Sequence, residues 1–325
     1  MRLRDALLGL AMLAGSVPAA RAQDATATYP SRPVVIVVPV SPGGALDIMA
    51  RLVAEQFRAT FRAPVVVENR AGANTDIGNL YVARSAPDGH TLLLQSDSLA
   101  ANASIHPNPD YDPIRSFQPV ALLATAPGML VVRRDMDARS LAEFVALARS
   151  RGDGLTVAST GTGTTSHLTG VLLKQSLGLR WTDVPYPGSG RAVTDLLGGH
   201  VDALWVMSAA VMPYLRSGEM RAIAVSSPQR SGAFPEVATV AETAVPGFDV
   251  TNWQGLLAPA GTPQPIVARL AAEVARMMRE PDSRRKVEEL GLEPSGAGPE
   301  VLGAELRRAV PKWAEVAQRA GLRSQ

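Results

Sequence analysis

A short, unbroken run of apolar residues, a glycine-rich turn and an amphipathic helix follow one another near the start of this chain, and the arrangement recurs further on. The first run, Pro33 to Val40, is rich in β-branched residues, which is typical of a strand buried on both faces of a parallel sheet. The apolar residues between Ile48 and Phe57 are spaced to form one face of a helix. The pattern predicts an α/β protein built from strand–turn–helix units.

These units fall into two series. The runs APVVVEN and GHTLLLQS complete the first, and a second begins near Ala121 with VALLAT and GMLVVRR. GLTVAST, a helix from about Thr165 to Leu177, and the runs RWTDVPY, VDALWV and MRAIAVSS follow. This alternation predicts parallel sheets with helices on both faces. The C-terminal part is predicted to be helical, and Pro311 should kink or restart the last helix, near Val301 to Ala320.

The length of the chain, 325 residues, exceeds that of one typical domain, so two domains are expected. A hydrophobic fraction of 46% with 19% charged residues supplies two cores and does not resemble a disordered chain. No low-complexity linker divides the sequence, which favours two domains joined by short crossing strands. The segment from Thr251 to Pro263 is a candidate for the return crossing to the first domain.

Residues 1–22 have the features of an export signal. Arg2 and Arg4 precede an apolar run ending at Ala14, and Ala20 to Ala22 offers the small residues read by signal peptidase, so cleavage is expected before Gln23. The run is too short for a membrane anchor, which needs about 18 apolar residues. The absence of cysteine from the sequence excludes a lipid-anchored start, a disulfide framework and thiolate-bound zinc. Without the signal, basic and acidic residues are equal in number, and no Lys/Arg cluster indicates a nucleic-acid partner.

Two glycine-rich turns are candidate anion sites. The first, Pro39 to Asp47, joins a strand to a helix, and its glycines allow a ligand close to the unpaired N–H groups of the helix start. Asp47 is equally suited to capping that helix. The second turn, Ala158 to Gly170, has Ser166 where a dinucleotide fingerprint needs its third glycine, and no G-K-[ST] follows, so nucleotide binding is rejected. Its hydroxyls suit a carboxylate, or else cap the helix.

A third turn, Tyr186 to Gly190, also lies between a strand and a helix. Arg191 opens that helix and either pairs with a second ligand carboxylate or is solvated. Trp205 and Trp253 either wall a ligand pocket or belong to the core. In open α/β sheets ligands bind beyond the carboxyl ends of the strands, so two facing sheets would close these turns over one ligand.

Motifs of enzymes are missing. The four histidines, His90, His106, His167 and His200, are scattered, and neither H-E-x-x-H nor G-x-S-x-G occurs. No cofactor and no metal are expected. A secreted hydrolase or lyase of small carboxylates, using His167 with Asp47, is the alternative from the enzyme class, although His167 is better explained as a capping or packing residue.

At these residues the sequence resembles the Bug family, the TctC-like solute-binding receptors of tripartite tricarboxylate transporters. The resemblance runs from about Tyr29 to Gly321 and rests on motifs that appear in order, among them YPSRPVVIVVPVSPGGALDIMARL, VVVENRAGA, APDGHTLLL, YDPIRSFQPVALLA, STGTGTTSHLTG, VPYPGSGRAVTDLLGGHVDALW and WQGLLAPAGTP. It implies a type II periplasmic-binding-protein (Venus flytrap) fold with a largely parallel sheet flanked by helices in each lobe. Residues 28–124 and 248–325 would form lobe 1 and residues 125–247 lobe 2, with the ligand between them.

The resemblance also implies a site that grips a carboxylate through backbone N–H groups, hydroxyls and waters. By motif position the ligand-binding residues are Val40, Ser41, Gly43, Gly44, Ala45, Leu46, Asp47, Thr160, Gly161, Thr164, Thr165, His167, Tyr186, Pro187, Gly188, Trp205 and Val206. Ala45 and Leu46 stand where the family has hydroxyls, Pro187 where many members have lysine, and Arg191 where many have proline. Val206 is apolar where several members are polar or acidic, which favours an apolar or aromatic carboxylate over an acidic amino acid.

The same resemblance predicts the biological setting. The protein would be a periplasmic monomer, not an enzyme, that delivers its carboxylate to the membrane subunits of a transporter. An orphan receptor that feeds a sensor kinase is the remaining alternative.

Overall fold

The computed structural model describes residues 29–105 and 110–322, and the predicted signal peptide lies outside them. Within that part of the chain there are ten strands and eleven α-helices. The strands are β1 (Val34–Val38), β2 (Val65–Asn69), β3 (Thr91–Ser96), β4 (Phe117–Arg133), β5 (Thr156–Ser159), β6 (Thr182–Pro185), β7 (Ala203–Met207), β8 (Met220–Val225), β9 (Thr251–Pro259) and β10 (Glu293–Ala297). The helices are α1 (Ala45–Phe61), α2 (Asp76–Ala83), α3 (Ser98–Ile105), α4 (Leu141–Arg151), α5 (Thr165–Leu177), α6 (Ser189–Leu197), α7 (Ser208–Ser217), α8 (Val240–Thr243), α9 (Gln264–Met277), α10 (Pro281–Glu289) and α11 (Pro299–Arg319).

One long strand, β4, joins two half-sheets. Its first part, up to Pro127, pairs with β9 and β10, and from Gly128 onward it pairs with β7 and β8. The strand order is β2-β1-β3-β9-β4-β7-β5-β6. We call the part from β2 to β9, with β10 and residues 117–127, the first half-sheet, and the remainder the second half-sheet. The change of partner between Pro127 and Gly128 places the junction in the middle of β4.

The predicted α/β class is confirmed, with mixed half-sheets. The pairs β1–β2, β1–β3, β5–β6 and β5–β7 are parallel, as the strand–turn–helix units predict. All the pairs that involve β4 or β9 are antiparallel among the described residues. The antiparallel pairs arise because β4 and β9 carry the chain between the half-sheets in opposite directions.

Each half-sheet has an apolar cluster on both of its faces, and the last helix takes part in one cluster of each half-sheet. Leu302 and Leu306 of α11 belong to the core around β3 and β9, whereas Trp313 and Val316 belong to the core around β5 and β7. Helix α11 is continuous from Pro299 to Arg319, so the predicted restart at Pro311 does not occur. Proline has no N–H to donate to the carbonyl four residues earlier in the helix. Because Pro311 is exposed, water can donate to that carbonyl instead.

The division into lobes at residues 124/125 and 247/248 stays a prediction, because α11 contacts the cores of both half-sheets. Among the described residues no helix is long and apolar enough to cross a bilayer.

Candidate ligand-binding site

A cavity of about 310 Å³ lies between the two half-sheets, at the carboxyl ends of β3, β5 and β7. Because the strands on both sides end here, the segments that follow them meet across one space. The residues that line it are Val40, Asn74, Thr75, Ser96, Asp97, Ser98, Asn102, Gly128, Thr160, Thr162, Thr164, Thr165, Ser166, Thr169, Trp205, Val206, Met207 and Asn252.

Six of the residues predicted for the site line this cavity, namely Val40, Thr160, Thr164, Thr165, Trp205 and Val206. The other predicted residues do not line it, and these are Ser41, Gly43, Gly44, Ala45, Leu46, Asp47, Gly161, His167, Tyr186, Pro187 and Gly188. The first turn therefore reaches the cavity only at Val40, while the second turn contributes six residues between Thr160 and Thr169. The binding role of each of these residues stays a prediction.

Asp47 holds the first turn together from inside the protein. Its buried carboxylate accepts hydrogen bonds from the Gly43 N–H (3.0 Å), the Arg51 guanidinium (3.0 and 3.1 Å) and the Asn69 amide (2.9 Å). Burial alone would raise the pKa of Asp47, but these hydrogen bonds and the charge of Arg51 outweigh it and lower the pKa. Since Asn69 also donates to the Val40 carbonyl (3.1 Å), Asp47 positions the cavity-lining residue without contacting the cavity.

The second turn is held by its own hydroxyls. The Thr164 hydroxyl caps α5 by accepting the His167 N–H (3.3 Å) and donates to the Gly161 carbonyl (2.8 Å). The Ser166 hydroxyl donates to the Trp205 carbonyl (2.5 Å) and accepts the Thr160 N–H (3.1 Å). A helix start has four N–H groups without intrahelical partners, and a single cap satisfies only one of them.

Two further helices begin at the cavity. Ser98 starts α3, and Met207 is the N-cap of α7, where its side chain makes no capping hydrogen bond. Helix starts carry partial positive charge and favour anions. The indole N–H of Trp205 is buried next to Gly170 of α5 and has no hydrogen-bond partner among the described residues.

His167 faces away from this cavity. Its Nδ1 accepts the Gly163 N–H (3.1 Å), so in the neutral ring the proton is on Nε2. The side chain lines a second cavity with Lys174, Asp183 and Arg319. Burial lowers the pKa of His167, with a smaller opposing effect of Asp183. Because neither His167 nor Asp47 lines the ligand cavity, the pair cannot act together as the alternative hydrolase or lyase requires.

The third turn supports the second from outside. The Gly188 N–H donates to the Thr160 carbonyl (3.2 Å), and the Tyr186 N–H donates to the Ser159 carbonyl (3.0 Å). Arg191 is exposed and does not line the cavity. Trp205 forms part of the cavity wall, whereas Trp253 packs in the core with Leu257 and Leu302.

Asp97 is the site residue of greatest chemical consequence that the sequence interpretation missed. It lies between β3 and α3, is 7% exposed, and accepts a hydrogen bond from the Thr165 hydroxyl of the second half-sheet. Burial raises the pKa of Asp97 to about 6, against opposing effects of the Thr165 hydroxyl, backbone N–H groups and Lys312. The signal was present in the sequence, since GHTLLLQS is a buried strand followed by polar residues, but no glycine marks its turn.

A strained turn forms another part of the wall. Ala73, Asn74 and Thr75 all have positive φ angles (45°, 50° and 82°), a region that side chains other than glycine rarely adopt. Asn102 donates to the Asn74 carbonyl, and the Asn79 amide donates to the Thr75 hydroxyl (3.1 Å). Strain of this kind persists where neighbours over-determine the conformation, often at ligand sites.

Two half-sheets that enclose a polar cavity between strand ends define a ligand-binding protein of the two-lobed class. Among the described residues no group of three or more His, Cys, Asp or Glu side chains is arranged to hold a metal ion. Residues 49–322 match the model of the tripartite tricarboxylate transporter family receptor. The chain belongs to this TctC family, and the predicted resemblance is confirmed.

Individual proteins with similar sequences and structures support this assignment to the family. A protein encoded in the tcbD–tcbE intergenic region of Pseudomonas sp. strain P51 is 38% identical over 95% of this chain and 92% of its own length. The structure of the periplasmic binding protein BugD is 36% identical, covers 91% of this chain and 100% of its own, and has a TM-score of 0.75. An R. palustris protein with adipate is 33% identical (90% and 98% covered, TM-score 0.77). MatC from Rhodopseudomonas palustris with bound malate is 36% identical (89% and 99% covered, TM-score 0.74).

These findings confirm the two-lobed periplasmic-binding-protein fold. They also establish the chain as a solute-binding receptor and not an enzyme, since its family and its structural neighbours are binding proteins.

Proposed function

We propose that the protein captures a small organic carboxylate with an apolar or aromatic body in the cavity between the half-sheets. The observation that carries the proposal is the composition of the cavity wall. Among the described residues that form it there is no Lys, Arg or His, while three helices begin there and most of the polar side chains are hydroxyls or amides. Such a wall binds an anion through N–H and O–H donors and not through an opposing charge.

The apolar part of the wall supports the choice of ligand body. Val40, Trp205, Val206 and Met207 are the larger apolar residues that line the cavity. A volume of about 310 Å³ is at the small end of the range for ligand pockets. A compact acid with an aliphatic chain or one aromatic ring matches both the size and the polarity.

The family supports a proposal for the biological setting. The receptor is proposed to be exported with its signal cleaved before Gln23, to remain a monomer, and to deliver its ligand to the membrane subunits of a tripartite transporter. Adipate and malate in related structures support a carboxylate as the class of ligand.

We expect hexanoate or benzoate to raise the melting temperature of protein that has been unfolded and refolded to remove bound ligand. A ligand that binds only the folded state stabilises it by about 2.7 kcal/mol at a concentration 100 times its Kd. Differential scanning fluorimetry with hexanoate, benzoate, adipate, malate, glutamate and aspartate measures the shift.

Hexanamide and benzamide are the matched controls, because they keep the shape and lose the charge, and they should give no shift. Absence of a shift with every acid would contradict carboxylate binding. Tight binding of glutamate or aspartate with none of hexanoate or benzoate would instead contradict the preference for an apolar body.

A further inference from the structure

The ligand cavity contains a carboxylate of its own. Asp97 is the only ionisable side chain among the described residues that line the cavity. It is buried, and its Oδ2 accepts the Thr165 hydroxyl, which comes from the opposite half-sheet. The acid therefore lies at the meeting point of the two half-sheets, inside the space proposed for the ligand.

No cationic side chain is among the described residues that line the cavity with Asp97. Lys312 of α11 acts on it from outside the cavity wall, and its ammonium donates to the Asp249 carbonyl (2.7 Å) and lies 4.3 Å from the centre of the Trp313 ring. Burial lowers the pKa of Lys312 to about 8, and the charged groups around it are Arg308, Asp249 and Glu305. With a pKa of about 6, Asp97 remains mostly ionised at neutral pH.

The dimensions of the cavity bring any ligand charge close to Asp97. A volume of about 310 Å³, taken as a sphere, is roughly 8 Å across. Two like charges separated by about 6 Å at an effective dielectric constant of about 20 repel strongly enough to weaken binding about a hundredfold, and better solvation reduces this to about tenfold. One carboxylate at the helix starts of α5 and α7 can be compensated by N–H groups there, but the remaining helix start, that of α3, is adjacent to Asp97.

We infer that the site selects monocarboxylates, and that Asp97 is the specificity-determining residue that excludes a second carboxylate. The inference rests on the proposed binding of carboxylates. It sets this chain apart from the related structures that contain the dicarboxylates adipate and malate.

The test compares hexanoate with adipate, because the two acids share a six-carbon chain and differ in one terminal carboxylate. Isothermal titration at pH 7.5, on protein stripped by unfolding and refolding, should give at least about tenfold tighter binding of hexanoate. Asp97→Asn keeps the shape and the hydrogen-bond acceptor and removes the charge. It should strengthen adipate binding at least about tenfold more than it strengthens hexanoate binding. Benzoate and terephthalate form a second matched pair.

Asp282→Asn is the control, since it makes the same chemical change at an exposed residue, 79% accessible, that does not line the cavity. It should leave both affinities unchanged. Equal affinity of the wild type for hexanoate and adipate overturns the inference, and this comparison of two ligands does not depend on whether any variant folds. Failure of Asp97→Asn to strengthen adipate binding in folded protein also overturns it. If no acid of either pair binds, the proposed function itself fails.

Discussion

Trp205→Ala should lower the free energy of unfolding by about 3–5 kcal/mol and weaken the binding of hexanoate or benzoate. The indole is 1% exposed, packs against Gly170 of α5, and forms part of the cavity wall. Its removal leaves a void next to the ligand cavity and takes away both apolar surface and the buried indole N–H. Urea denaturation gives the stability, and titration of the folded variant gives the affinity.

Trp181→Ala separates the two effects. Trp181 is also buried, in the same core as Trp205, and its ring packs at a tilt against that of Phe144 with the centroids 6.1 Å apart, but it does not line the cavity. The control should lose similar stability and keep its affinity. Equal affinities of the two folded variants would contradict a ligand contact for Trp205.

Asp97→Asn should raise the free energy of unfolding by about 3 kcal/mol at pH 7.5 and by only about 1 kcal/mol at pH 4.5. The folded-state pKa is about 6, against 3.8 for an unperturbed aspartate, so the folded protein binds this proton more tightly than the unfolded chain does. The ionised carboxylate therefore lowers the free energy of unfolding by its full amount above pH 6. This loss becomes smaller as the pH falls from 6 towards 3.8. Asparagine avoids the penalty because it carries no charge at any pH.

Urea midpoints of the wild type and the variant between pH 4.5 and 7.5 test this expectation, with Asp282→Asn as the control for loss of an exposed charge. The upper limit keeps Lys312 protonated, since its pKa is lowered to about 8. If Asp97→Asn raises the free energy of unfolding by the same amount at pH 4.5 and pH 7.5, ionisation of Asp97 is not the cause of the increase.

The strand–turn–helix units were predictable because their apolar spacing reports local conformation directly. The predicted helix from Thr165 to Leu177 has those bounds in the structure. In contrast, VALLAT and GMLVVRR were interpreted as separate strands, yet both belong to β4. Pro119, Pro127 and Gly128 resemble strand breakers, but the strand passes through them with irregular pairing near Pro119. Only the tertiary partners β9 and β7 show that the strand continues.

The candidate site was predictable where a glycine-rich turn marks it, as at Thr160 to Thr165. It was not predictable at Asp97, Asn102 and Asn252, which come from different parts of the chain and meet only in the folded protein. The first turn was expected at the ligand along its whole length. Asp47 instead points inward, where its carboxylate accepts hydrogen bonds from Gly43 and Asn69. An aspartate in this position of the sequence could equally cap the helix or contact a ligand, so the sequence pattern could not distinguish the two roles.

The sharing of α11 and β4 between the two half-sheets bears on cooperativity. Neither half retains a complete core if the other melts, because Trp313 and Leu306 lie on one helix and belong to different cores. Local losses of structure at one end of α11 therefore propagate to the opposite end. Despite its four apolar clusters, two on each half-sheet, the protein should unfold in a single transition, in which tryptophan fluorescence and circular dichroism change together.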